Sequence, residues 1–189
     1  MIQHIPAIIF AGGKSSRMGR DKALLPFGGY QSLAQYQYNK LKTIFKDVYI
    51  STKNNKFDFE ANLIYDTYQI NSPLCAIISV LQYTKKPSFI LSVDSPFLNE
   101  SDICKIISSH DDSYIASIAQ TKDGLQPLCG IYNPSFIPMA SKEISLNNHK
   151  INYILKNHNT NKIYFEDTKA FLNLNYPTDY EKALKYDTI

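Results

Sequence analysis

Residues 7–25 read AIIFAGGKSSRMGRDKALL, and this stretch decides the fold. Residues 7–10 (AIIF) are continuously apolar and rich in β-branched side chains, the pattern of a strand buried on both faces. A polar, glycine-rich loop follows at once. Gly12 and Gly13 let the backbone come close to a ligand and present its N–H groups. Lys14, Arg17, Arg20 and Lys22 place four positive charges within nine residues, enough to neutralise a polyanion such as a nucleoside triphosphate. Two familiar phosphate-binding motifs are excluded. A Walker loop needs glycine five positions before Gly13, where this chain has Ile8. The dinucleotide fingerprint G-x-G-x-x-G is broken because Gly12 and Gly13 are adjacent.

Working outward, strands and helices alternate. Helical spacing covers 31–45, and short apolar runs at 48–51 and 63–65 read as strands. Ser72-Pro73 opens a helix, serine as N-cap and proline in the first turn. Residues 88–93 (SFILSV) are the clearest buried strand, ending at Asp94. Asn99 or Ser101 caps the next helix, and 114–119 and 128–132 read as strands. A helical region opens at Asn133-Pro134, 142–157 reads as helix, 162–165 and 171–174 as short strands, and 177–186 as a closing helix. This order predicts a single-domain α/β protein over residues 1–189. We expect a Rossmann-like three-layer sandwich, with a mostly parallel sheet, helices on both faces and an antiparallel edge from the late strands.

Composition narrows the function. The chain has 189 residues, 44% hydrophobic and 20% charged, which excludes a disordered tail, a collagen and a mini-protein scaffold. A net charge of +3, without a long basic run, argues against a nucleic-acid partner. Cys75, Cys104 and Cys129 are odd in number and far apart, so neither a disulfide framework nor a cysteine zinc site is expected. The N-terminal apolar run is too short for a signal peptide, and no stretch approaches the roughly 18 apolar residues of a membrane helix. A cytoplasmic protein with no membrane partner is expected. His4, His110, His149 and His158 sit in no motif and read as solvated surface.

Two aspartates stand at strand ends. Asp94, at the end of a buried strand, would point into the ligand crevice as a hard oxygen ligand suited to Mg²⁺; the alternative is a turn cap before Pro96. Asp66 closes the run 62–66 and reads as a ligand contact or a turn residue. Alternation in 171–175 (FLNLN) puts Asn173 and Asn175 on one strand face, where two amides can hydrogen-bond a polar ligand; alternatively Asn175 caps the closing helix.

The string from Ala11 to Leu25 resembles A-G-G-x-S-x-R-M-G-x-D-K-x-L-L, the signature of the MobA-like nucleotidylyltransferases related to molybdenum cofactor guanylyltransferase. Asp94-Ser95-Pro96, Ser72-Pro73-Leu74-Cys75-Ala76, Gln126-Pro127 and Asn173-Leu174-Asn175 resemble that family's D-T-P, G-P-L-A-G, His-Pro and N-x-N segments, with substitutions at Ser72, Cys75, Ala76, Ser95 and Gln126. The resemblance implies that Phe10, Ala11, Gly12, Gly13, Asp66 and Asp94 bind the nucleotide and that Lys22 binds its phosphates. Arg17 is a further phosphate candidate on charge. Asp94 would hold Mg²⁺, and Gln126, Asn173 and Asn175 would meet the acceptor. Residues from about 1 to 100 would then form the nucleotide-binding part and those from about 101 to 189 the acceptor-binding part. The implied reaction transfers GMP from GTP to the phosphate of molybdenum-molybdopterin, releasing pyrophosphate. Cofactor-synthesis proteins and target molybdoenzymes are partners by the same resemblance. A cytidylyltransferase or another nucleotidylyltransferase on a related acceptor, and a non-catalytic nucleotide-binding regulator, remain the alternatives.

Overall fold

The computed structural model describes residues 1–13, 18–70 and 72–186. Its strands are β1 (Ala7–Phe10), β2 (Val48–Thr52), β3 (Leu63–Tyr65), β4 (Ser88–Ser92), β5 (Ala116–Thr121), β6 (Gly124–Tyr132) and β7 (Thr160–Tyr164). Its α-helices are α1 (Leu33–Ile44), α2 (Pro73–Thr84), α3 (Glu100–Ser108), α4 (Phe136–Ser145), α5 (Ile151–Asn157) and α6 (Pro177–Tyr186). The strands form one sheet in the order β3-β2-β1-β4-β6-β5-β7. β1, β2, β3 and β4 run parallel, β6 runs against both β4 and β5, and the outer strand β7 is parallel to β5. The antiparallel element therefore enters through the late strands, as expected.

Period-2 alternation divides the interior. Ala7, Ile9, Phe89 and Leu91 face one core, under α1, α3 and α6. Ile8, Phe10 and Ile90 face the other, under α2, α4 and α5. Both faces are thus covered, which is why β1 and β4 read as unbroken apolar runs. Local capping sets the helix starts. Ser32 Oγ accepts from Gln35 N at 3.1 Å, and Asn99 forms a reciprocal capping box with Asp102. Among the described residues no helix is long and apolar enough to cross a membrane.

The chain leaves β1 for β2 and β3 on one side, then returns to β4 on the other. This reversal leaves a crevice at the carboxyl ends of β1 and β4, the place where open α/β sheets bind ligands.

Three expectations are corrected. Residues 171–174 form no strand: a short 3₁₀ turn (Lys169–Phe171) leads into an extended segment, for which the hydrogen bonding is a contact from Leu174 N to Asp94 O rather than a ladder. The helix expected over 142–157 is two helices, because Asn147 takes a left-handed φ of 57° and Asn148 folds back on Glu143. His110 is enclosed rather than solvated, since its turn folds onto β5 and its ring nitrogens meet Ser117 and Asp112 at 3.1 Å.

Gly130 of β6 pairs with Ile118 beside a β-bulge, and a Cβ there would lie 2.4 Å from Ser117 O and 2.9 Å from Ile118 Cα. Both atoms are backbone and cannot move aside cheaply. Gly130→Ala is expected to destabilise the protein by about 1–3 kcal/mol. Urea denaturation measures this, and an unchanged midpoint would refute the close-approach reading.

Candidate active site

The crevice is a cleft of about 370 Å³ floored by the ends of β1 and β4. Phe10, Ala11, Gly12, Gly13, Lys22, Asp66 and Asp94 all line it, together with Ser51, Thr52, Ser72, Ala76 and Leu128. These residues are brought together from four strand ends and the start of α2. Arg17 lies outside the described residues.

Lys22 and Asp94 form an ion pair, with only 16% and 12% of their side chains exposed. Lys22 Nζ also donates to Asn175 Oδ1 at 3.2 Å and to Leu174 O at 3.3 Å. Asp94 is aimed by its strand: Val93 N donates to Phe10 O at 3.1 Å, and Leu174 N donates to Asp94 O at 2.9 Å. Ser95 Oγ donates to Asn173 Oδ1 at 2.6 Å. Asn173 and Asn175 thus sit behind the catalytic candidates, holding Ser95 and Lys22, and neither lines the cleft. Asn175 is not the cap of α6. The Asp179 carboxylate, in the first turn, instead folds back to accept from Tyr176 N at 2.9 Å and Asn175 N at 3.2 Å, the N–H groups just before the helix. Asp66 Oδ1 accepts from Tyr68 N at 3.0 Å and Ser79 Oγ at 3.1 Å, which fixes one carboxylate oxygen toward α2. Gln126 lies on β6 outside the cleft lining, its Nε2 3.4 Å from Thr121 Oγ1. Cys75 is fully buried, consistent with packing.

Three further side chains shape the site without any sequence motif. Lys56 Nζ donates to Ala11 O at 2.8 Å and forms an ion pair with Asp21, so it joins the two ends of the glycine-rich loop. From α1, Gln37 Nε2 donates to Ser95 O at 2.9 Å and Lys40 Nζ to Pro96 O at 2.7 Å, holding the turn that follows Asp94. Burial lowers the Lys40 ammonium pKa from 10.5 to about 8, against the opposing pull of Asp102 and the Cys129 thiol group.

The sequence matches the family model described as the MobA-like NTP transferase domain over residues 7–161. The chain belongs to that family. Curated relatives of the MobA-like kind match over nearly the whole chain. A Campylobacter jejuni subsp. doylei protein named molybdenum cofactor guanylyltransferase is 39% identical over 184 residues, 96% of each chain. A Helicobacter pylori protein of the same name is 30% identical over 194 residues, 98% of this chain and 94% of that one. Among solved structures, molybdopterin-guanine dinucleotide biosynthesis protein A from Archaeoglobus fulgidus superposes with a TM-score of 0.81 at 18% identity, covering 97% of this chain and 99% of that one. A 4-diphosphocytidyl-2C-methyl-D-erythritol synthase from Anaerococcus prevotii gives 0.71 at 12% identity, covering 99% of each chain. At these identities the structural likeness shows the shared nucleotidyltransferase fold.

In this MobA-like site the Lys56 bridge should matter to nucleotide binding. Lys56→Met removes one charge-assisted bond across the loop, of about 1.5 kcal/mol, and is expected to weaken nucleoside triphosphate binding about tenfold. Isothermal titration would show this; unchanged affinity would make the bridge dispensable.

Lys40 offers a pH test. Between about pH 8 and 10.5 the unfolded chain keeps this proton and the folded chain has lost it, so the charged form's penalty on folding fades as pH rises. The native protein should therefore gain stability relative to Lys40→Met as the pH is raised from 8 to 10. Urea unfolding of both proteins across that range tests it, and a constant difference would refute it.

Proposed function

We propose that this chain transfers GMP from GTP to the phosphate of molybdenum-loaded molybdopterin, giving molybdopterin guanine dinucleotide and pyrophosphate. The names of its relatives support the reaction, and one observation carries it on this chain: Lys22 and Asp94 meet in the cleft at the ends of β1 and β4.

The acceptor phosphate is itself the nucleophile, so the reaction needs no activated serine, cysteine or histidine. The described lining of the cleft contains no cysteine and no histidine. The residues instead position and neutralise. Gly12 and Gly13 let the triphosphate approach the end of β1. Lys22 exchanges its partner Asp94 for phosphate oxygens, and the leaving pyrophosphate departs against its ammonium group. Lys56 keeps the loop closed around the phosphates. Asp66 contacts the nucleoside from the end of β3. Asn175 and Asn173 keep Lys22 and Ser95 in place from behind the cleft.

The donor set fits Mg²⁺, which takes one or two carboxylates and completes its shell with phosphate oxygens and water. Among the described residues no group of three or more His, Cys, Asp or Glu side chains forms a protein cage, so a fully enclosed metal site does not fit. Asp94 would hold the ion. Bound there, Mg²⁺ supplies charge neutralisation at phosphate oxygens. On this reading the protein works in the cytoplasm, between the proteins that supply the cofactor and the molybdoenzymes that receive it.

Pyrophosphate release from purified protein, Mg²⁺ and molybdenum-loaded molybdopterin, with GTP, CTP, ATP and UTP in turn, tests the proposal. GTP alone should support release, and only with the pterin present. Release with CTP instead would overturn the base assignment. Asp94→Asn should lower turnover about 10²–10³-fold in protein that still folds by circular dichroism; near-native turnover would remove Asp94 from the metal role.

A further inference from the structure

The backbone around Asp94 is held on several sides. Residues 92–95 form a tight turn in which Ser95 N donates to Ser92 O at 3.2 Å. Val93 N donates to Phe10 O, and Leu174 N to Asp94 O. Gln37 and Lys40 hold the next two carbonyls, of Ser95 and Pro96. These contacts place the main chain, and the carboxylate still has to be aimed. The plane of an aspartate carboxylate turns about a terminal bond whose energy wells are broad, so its oxygens point where their own hydrogen-bond partners hold them.

The two oxygens of Asp94 have partners of different kinds. Oδ2 takes the ammonium group of Lys22. Oδ1 takes the hydroxyl of Ser92, two residues earlier at the end of β4. Lys22 reaches Asp94 at the end of a long, flexible side chain, and a polyanion in the cleft offers its charge another partner. Ser92 has one short side chain on a residue paired with Phe10 in the sheet, so its hydroxyl has a fixed origin. Its side chain stands at the cleft, among the lining residues. Once Lys22 turns to phosphate oxygens, Oδ2 loses its ammonium partner. Among the described residues, Ser92 is then the side chain that still holds the carboxylate.

We infer that Ser92 is a positioning residue for the metal-binding carboxylate: its hydroxyl pins Asp94 Oδ1, so that Oδ2 stays presented to the cleft as the oxygen Lys22 gives up to a divalent cation. The inference rests on the metal role proposed for Asp94 within the transferase reading. It adds a residue that the Asp94-Ser95-Pro96 segment does not contain. Hydrogen bonds that orient a ligating carboxylate carry much of a site's metal affinity, and losing one weakens binding about 10–100-fold.

Ser92→Ala removes the hydroxyl, and Ser92→Thr keeps it. GTP binding to each protein is measured by isothermal titration, once with Mg²⁺ and once with EDTA in its place. Mg²⁺ should strengthen GTP binding to the native protein. In Ser92→Ala the affinity with Mg²⁺ should fall about tenfold, with the affinity in EDTA within about twofold of native. Ser92→Thr should bind as the native protein does under both conditions. The Mg²⁺ concentration that half-saturates pyrophosphate release should rise in Ser92→Ala by the same factor, and excess Mg²⁺ should recover most of its turnover, which a misfolded variant would not do. Native affinity of Ser92→Ala with Mg²⁺ overturns the positioning role and leaves the proposed reaction standing. An equal loss with Mg²⁺ and with EDTA also overturns it, by making the hydroxyl a support of the fold or of the nucleotide. If Asp94→Asn keeps the full strengthening by Mg²⁺, the metal role of Asp94 fails and the role of Ser92 with it. If the native protein makes no product from GTP and molybdenum-loaded molybdopterin, yet Ser92→Ala shows the Mg²⁺-specific loss, Ser92 keeps its role and the proposed reaction fails.

Discussion

The ion pair between Lys22 and Asp94 is the contact on which the site depends. Its members lie 72 residues apart, and Lys22 also reaches Leu174 and Asn175, 152 and 153 residues along the chain from it. Removing two charges from water costs about what their attraction returns, so such a pair adds little net stability. Leaving either charge alone in that setting is far more costly. The loop after β1, the end of β4 and the segment before α6 must therefore arrive together or not at all. The same balance makes the pair exchangeable. A polyanion offers Lys22 another partner, and a divalent cation offers one to Asp94.

The rest of the site fixes the backbone around that pair. Two cores on opposite sheet faces hold β1 and β4 flat against each other, so their carboxyl ends form a floor. Lys56 ties the two ends of the glycine-rich loop through Ala11 and Asp21. Gln37 and Lys40 hold the Ser95 and Pro96 carbonyls from α1. Each of these side chains acts on a backbone oxygen. The positions of Asp94 and of the loop are therefore held through the backbone, while the Lys22 and Asp94 side chains keep their freedom to change partners.

Much of this was legible in residue order. The apolar runs of β1 and β4, the Ser72-Pro73 start of α2, the Asn99 cap and the bounds of α6 follow from local rules. Asp66 and Asp94 were marked by standing at strand ends. The expected strand at 171–174 failed because FLNLN has strand alternation but finds no ladder there, only the carbonyl of Asp94. Asn173 and Asn175 nevertheless come to the site, drawn by Ser95 and Lys22. Gln37 and Lys40 left no sign in sequence, since their partners are carbonyls 58 and 56 residues away and a carbonyl has no residue type to recognise; Lys56 left none because both its partners, Ala11 O and Asp21, lie 45 and 35 residues away.

By itself the sequence determined the α/β class, the glycine-rich and basic character of the first loop and the identities of the residues at the strand ends, because hydrophobic period, glycine and charge act over a few neighbouring residues. Tertiary structure alone decided that Lys22 faces Asp94, that Lys56 joins Ala11 to Asp21 and that His110 is enclosed. Those outcomes depend on which segments share the ends of one sheet. That is settled by the burial of two whole cores and cannot be read from any short stretch of chain.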